Sequence, residues 1–213
     1  PLTILASWTT IKEKVKGFHI SLFCLATTMI GTFLVFDSVL FYVLFFGGIF
    51  ILGFGSCYYH WNPNNDTLFY DRMPISLSFM AFFSAMLAER IHFKLGYYLL
   101  WPLIIIGFIS VLYWSYTESI GAGDLRPYIF VQIFPLFCVP ILLLMFKAPY
   151  TKTVYIWLSI LSYLIAKVFE WYDLNVFIYL NHMLSGHTIK HILVWLSMVF
   201  IFFYIFQGKS ARS

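Results

Sequence analysis

The chain has 213 residues, 62% hydrophobic and only 10% charged, with a mean hydropathy of +0.86 and a formal net charge of +4. Soluble domains carry about 25% charged residues to solvate their surface, so this composition excludes a water-soluble globular protein. The basic residues sit mostly at the ends of apolar runs, as membrane-flank charge does, with no basic face large enough for a nucleic acid.

Apolar runs of about 18 or more residues predict membrane-spanning helices. Taken in chain order they are 17–36, 38–59, 73–91, 95–117, 127–146, 150–171 and 188–207, seven spans in all. In hydrocarbon every unbonded backbone amide costs several kcal/mol, so such spans are helical, and the alternation of a β-barrel strand is absent. The expectation is an all-α integral membrane bundle, one domain over 1–213. Its connections are too short to hold a soluble domain, so any chemistry lies within the bundle.

Ahead of the first span, PLTILASWTTIKEKVKGF places Lys12, Lys14 and Lys16 without the charged, apolar, small-residue order of a signal peptide. A start at Pro1 rather than Met points to a trimmed N-terminus. Cys24, Cys57 and Cys138 fall in or near separate apolar segments without CxxC spacing, which reads as small buried hydrophobes rather than a disulfide framework. Lys12, Lys14, Lys16, Arg72 and Arg126 flank spans on one side, against Arg90, Lys94, Lys147, Lys152, Lys209 and Arg212 on the other. That near balance leaves orientation open, although the lysine triplet favours a cytoplasmic N-terminus.

The unusual polar residues are distributed unevenly. Ser56 and His60 end the second span, Asp71 and Arg72 begin the third, and Asp124 and Arg126 precede the fifth. Lys167, Glu170 and Asp173 end the sixth, while His187, Lys190 and His191 open the seventh. Alternation of the spans puts all of these on one side of the membrane, where ionisable residues mark a cavity or a site. The opposite group, Glu89, Arg90, His92 and Lys94, clusters at a short turn and reads as a snorkelling, solvated cap. Gly53 and Gly55 permit close helix approach.

Residues four apart share a helix face. Ser56 therefore pairs with His60, and His187 with His191. Two histidines at that spacing offer imidazole nitrogens to one tetrahedral ion, and His60, on the same side, is the candidate third ligand of a zinc site with an open position. His19 and His182 lack a helical partner and rank below these three. Lys167 and Glu170 can pair with each other, and with Asp173 they either orient the histidines by accepting ring protons or form a structural network. Asp124, Arg126 and Gln132 either contact a lipid headgroup or cap the fifth span.

GFGSCYYHWNPNNDTLFYDRMP at 53–74, followed by MAFFSAMLAER, resembles the signature of alkaline ceramidases: a serine, a histidine four later, then an aspartate entering the next span. SGHTIKHIL at 185–193 resembles that family's final-helix motif, AKVFEWYD at 166–173 the segment before it, and GDLRPYIFVQIFP at 123–135 a stretch of bacterial members. The wider superfamily of seven-span hydrolases includes the adiponectin receptors. The resemblance covers roughly 50–195 and implies zinc on His60, His187 and His191, with Ser56 and Asp71 acting beside the metal-bound water.

That resemblance implies hydrolysis of a lipid amide, most directly ceramide to sphingoid base and fatty acid, by a multi-pass protein of a bacterial inner membrane. In such a site Asp71 would serve as general base and then proton donor, and Ser56 would bond the water or the developing oxyanion. Hydrolysis of ester lipids, and a seven-span receptor or scaffold with structural zinc, remain as alternatives. The segment SWTTIKEKVKGF departs from the acidic, calcium-binding N-terminal stretch of eukaryotic members, with Glu13 its only acid, so no structural calcium is expected.

Overall fold

The computed structural model describes residues 39–147 and 152–207. Within them lie α1 (Val39–Trp61), α2 (Asn65–Arg90), α3 (Phe93–Ser119), α4 (Arg126–Met145), α5 (Val154–Trp171), the short α6 (Asp173–Tyr179) and α7 (Gly186–Gln207), and the described residues contain no strand. All-α architecture is therefore as expected. The run 17–36, with His19 and Cys24, lies outside the described residues, as do Lys12, Glu13, Lys14 and Lys16.

Among the described residues five helices, α1, α3, α4, α5 and α7, are long and apolar enough to cross a membrane, which makes this an integral membrane protein. Large apolar side chains such as Ile105, Leu112, Phe137 and Leu144 are exposed along them, where lipid replaces water as the solvent. Of the two that fall short, α6 is too brief, but the long α2 is the best buried helix, with Ser76, Ala81, Ser84, Ala85 and Met86 fully enclosed. It packs against α1, α3 and α4, while α5 packs on α7. An interior helix needs small side chains for close approach rather than a lipid-facing surface, which lowers its hydropathy and raises its burial together.

Hydroxyls tie these contacts. Ser78 donates to Phe45 O at 3.2 Å and to its own helix at Pro74 O, Ser84 donates to Gly96 O at 2.6 Å, and Ser159 meets Ser197 at 2.7 Å between α5 and α7. The bond to Pro74 O is the back-bond to the i−4 carbonyl that a serine makes within a helix.

Two boundaries differ from expectation. The connection between α1 and α2 is only 62–64, and α2 starts eight residues before the predicted 73. A reciprocal cap explains this: Thr67 N donates to Asn64 Oδ1 at 2.9 Å and Asn64 N to Thr67 Oγ1 at 3.2 Å, so the polar stretch NDTLFYD is helical. Asp66 thus lies in the first helical turn rather than in a loop, and Asp71 and Arg72 sit inside α2 rather than at its entrance. The helix α6 was not expected, because 173–179 is too short to register as a span.

Candidate metal centre

Two helices bring the three histidines together. His60 lies in the last turn of α1, while His187 and His191 lie one turn apart at the start of α7. Their Nε2 atoms converge: His60 to His187 at 3.3 Å, His60 to His191 at 3.3 Å and His187 to His191 at 3.0 Å. Each ring is only partly buried, so all three reach the same open space.

Hydrogen bonds among the three cannot satisfy this triangle. A neutral imidazole presents either one N–H or one lone pair at Nε2. Around a ring of three, at least one contact must join two donors or two acceptors, and protonation only adds donors. A cation receiving three lone pairs removes the conflict. The spacing also fits, since a tetrahedral ion about 2.0–2.1 Å from each nitrogen holds its ligands about 3.3 Å apart. These residues therefore suit a metal ion with three imidazole ligands and one open position.

Backbone contacts at two glycines fix the ligands. A Cβ on Gly186 would collide with the Phe169 carbonyl, so α7 enters directly against the end of α5. There Asp173 Oδ1 accepts from the His187 backbone N–H at 2.7 Å, and Ser185 Oγ accepts from Thr188 N at 3.1 Å, capping the free amides of the first turn. Likewise a Cβ on Gly55 would strike the Tyr70 carbonyl, so α1 and α2 meet backbone to backbone beside Asp71. Ser56 is buried at this contact and its hydroxyl lies against the Asp71 carboxylate.

Around them is a cavity of about 520 Å³, whose wall includes Ser56, His60, Asp71, His187 and His191. Its wall also carries the charged groups of Arg72, Lys167, Glu170 and Lys190, and an apolar stretch made by Leu52, Ile75, Phe79, Val194 and Met198. That volume suits a sizeable organic ligand. Arg72 projects beside Asp71 onto α3 and α4, its guanidinium 3.9 Å from the Trp114 ring centroid and 5.2 Å from that of Tyr128. Such stacking secures the turn that carries Asp71.

The remaining polar residues divide. Glu170 on α5 binds Lys167 at 2.7 Å and Lys190 on α7 at 3.0 Å. Glu170 thus meets the two lysines and Asp173 the His187 backbone N–H, contacts of the kind a structural network makes, one of the two roles expected of them. Asp124 caps α4, accepting from Arg126 N at 3.1 Å and pairing with its guanidinium at 2.8 Å. That guanidinium holds the Asp124 carboxyl well below the usual carboxylate range. Gln132 lies on the cavity wall. His182 stands apart, exposed in the turn after α6 with φ 64° and its ring against Phe177.

One sequence reading is overturned here. Glu89 and Arg90 do not form a solvated cap, although exposed His92 and Lys94 do, with His92 Nδ1 accepting from Lys94 N. Arg90 is 5% exposed and donates to Thr153 Oγ1 at 3.1 Å, and Glu89 accepts from the buried hydroxyls of Tyr42 and Tyr204. Its partners lie 47 and 115 residues away, so nothing local signals the contact.

No family model matches the chain, and neither does any curated protein or solved structure.

Proposed function

We propose that the protein is a seven-span, zinc-dependent intramembrane hydrolase of a lipid amide, a bacterial-type relative of the alkaline ceramidases. The seven spans comprise the five apolar helices, α2 and the apolar run 17–36. Ceramide, cleaved to sphingoid base and fatty acid, is the substrate to which the sequence resemblance points, and a bacterial inner membrane the location. What carries the reading is the convergence of three histidine nitrogens, at the spacing a tetrahedral ion requires, on the polar wall of an otherwise apolar cavity.

Three neutral imidazoles with a fourth position open are a donor set of catalytic zinc. When bound, zinc supplies a Lewis acid for the carbonyl oxygen and makes water nucleophilic near neutral pH. The chain's own groups do the rest. Asp71, a carboxylate on the same wall, takes the proton from the attacking water and returns it to the leaving nitrogen. Ser56, against that carboxylate, is free once Asp71 holds the proton to turn its hydroxyl as a hydrogen-bond donor to the oxygen on which charge develops. The water oxygen bonds to the acyl carbon, the C–N bond breaks, and a fatty acid and an amine result. Leu52, Ile75, Phe79 and Met198 take the acyl chain, so a substrate already in the bilayer need not pass through water.

Incubation of the purified protein with ceramides, other N-acyl lipids and phospholipids, read by mass spectrometry beside a metal assay, tests this. The expected result is about one zinc per chain and fatty acid released from an amide. Release from phospholipids alone would replace the amide with an ester, and bound zinc without any release would favour the receptor or scaffold reading.

A further inference from the structure

The charged side chains on the cavity wall do not balance. They are Asp71 and Glu170 against Arg72, Lys167 and Lys190, and a divalent ion on the histidines widens the excess. One carboxylate serves two ammonium groups, with Glu170 Oε1 taking Lys190 and Oε2 taking Lys167. Each ammonium has three donors; both lysines give one to Glu170 and Lys167 also meets Tyr163, so donors remain for the oxygens of a ligand. The Arg72 guanidinium stacks on Trp114, and its buried Nη1 has no hydrogen-bond partner.

Position adds to the count. Lys190 lies between the two α7 histidines on the chain, its side chain only 18% exposed, on the same cavity wall as His60, His187, His191 and Asp71. Lys167, at 46%, stands farther out along the same wall. Uncompensated charge within a membrane protein is costly, and a ligand of opposite sign offsets that cost. A lipid with a neutral headgroup leaves it in place.

Resting on the hydrolase reading above, we infer that the lipid amide this cavity takes carries a negative group, a carboxylate, phosphate or sulfonate, on the nitrogen side of the amide. The negative group sits against Lys190 and Lys167, and the acyl chain lies along the apolar wall. Recognition then comes from charge-assisted hydrogen bonds that a neutral headgroup lacks.

The test uses the full chain in zwitterionic phosphatidylcholine nanodiscs, with zinc bound. Affinities are measured for N-palmitoylglycine, which is anionic, and N-palmitoylethanolamine, its neutral analogue with the same acyl chain, by displacement of a fluorescent acyl probe. The anionic ligand is expected to bind at least about tenfold more tightly, the scale of one charge-assisted hydrogen bond. In the Lys167→Met, Lys190→Met double variant the two are expected to fall within about threefold, by a loss on the anionic side alone. Equal affinities in the wild type, or a preference that survives the double variant, overturns the inference. Should the double variant lose zinc, Lys167→Met alone, with its half-exposed side chain, is expected to reduce the preference, and an unchanged preference there overturns it too. Anion preference without hydrolysis of either compound, of ceramide or of any other lipid amide overturns the hydrolase reading and leaves the anion preference standing, whereas ceramide cleavage with equal affinities does the reverse.

Discussion

At one end of α1, α2 and α7, Ser56, His60, Asp71, His187 and His191 face a cavity, while at the other end of the same helices Tyr42, Glu89 and Tyr204 close on one another. Both clusters join three helices, and both place ionisable groups where lipid surrounds the bundle. They differ in whether the groups satisfy each other. The Glu89 carboxylate accepts a hydrogen bond at each oxygen from a buried tyrosine hydroxyl, so these groups satisfy one another within the bundle. The three imidazoles cannot all pair, and the space beside them admits what they lack. Polar groups in a membrane bundle thus divide into those that lock helices and those that await a partner, and only the second kind predicts chemistry.

The sharpest way to break this contrast is to remove a ligand. His60→Ala, His187→Ala or His191→Ala is expected to lower zinc affinity by more than about 100-fold, beyond the loss typical of a residue that merely orients a ligand, and to abolish hydrolysis. Metal analysis after purification reads the first directly. Full occupancy in all three variants would remove the metal centre.

Asp71→Asn separates binding from chemistry. Zinc is expected to stay near one per chain, while lipid-amide turnover drops about 10²- to 10⁴-fold, the usual contribution of a positioned general base. Unchanged turnover would take Asp71 out of the proton path, and a shift in lipid binding alone would point to the receptor reading.

Gly186→Ala probes the scaffold under the site. Its new Cβ meets the Phe169 carbonyl, so α7 must shift, at a cost of about 1–3 kcal/mol, and thermal unfolding in detergent should come earlier with zinc held more weakly. Glu89→Ala acts on the other end. It leaves the Tyr42 and Tyr204 hydroxyls without their carboxylate, a loss of about 1–3 kcal/mol in stability, yet zinc content and turnover in the folded fraction are expected to hold. Zinc loss in that variant would show that the two ends are coupled.

Much of the candidate centre was legible in the sequence because helical spacing is a local rule. His187 and His191 share a face by that rule, and alternation of the spans puts His60 on their side. Gly55 likewise announced a close helix contact. What escaped depended on contacts distant in sequence or on competing local signals. The polar run from Asn64 to Asp71 looks like a loop by hydropathy, yet the Asn64 and Thr67 cap makes it helix and moves Asp71 into its interior. Glu89 and Arg90, next to a turn, look solvated until tyrosines from α1 and α7 arrive. Lys190 reads as one of the ionisable residues on the site's side of the bundle, but only packing of α7 on α5 sets it against Glu170.

Most direct is a zinc titration of chelator-stripped protein in nanodiscs, following fatty acid released from a lipid amide. Release is expected to be absent at the start, to rise in proportion to added zinc and to level off at about one ion per chain. Full release from the stripped protein, or none from any amide at full zinc occupancy, would contradict a catalytic zinc held by His60, His187 and His191.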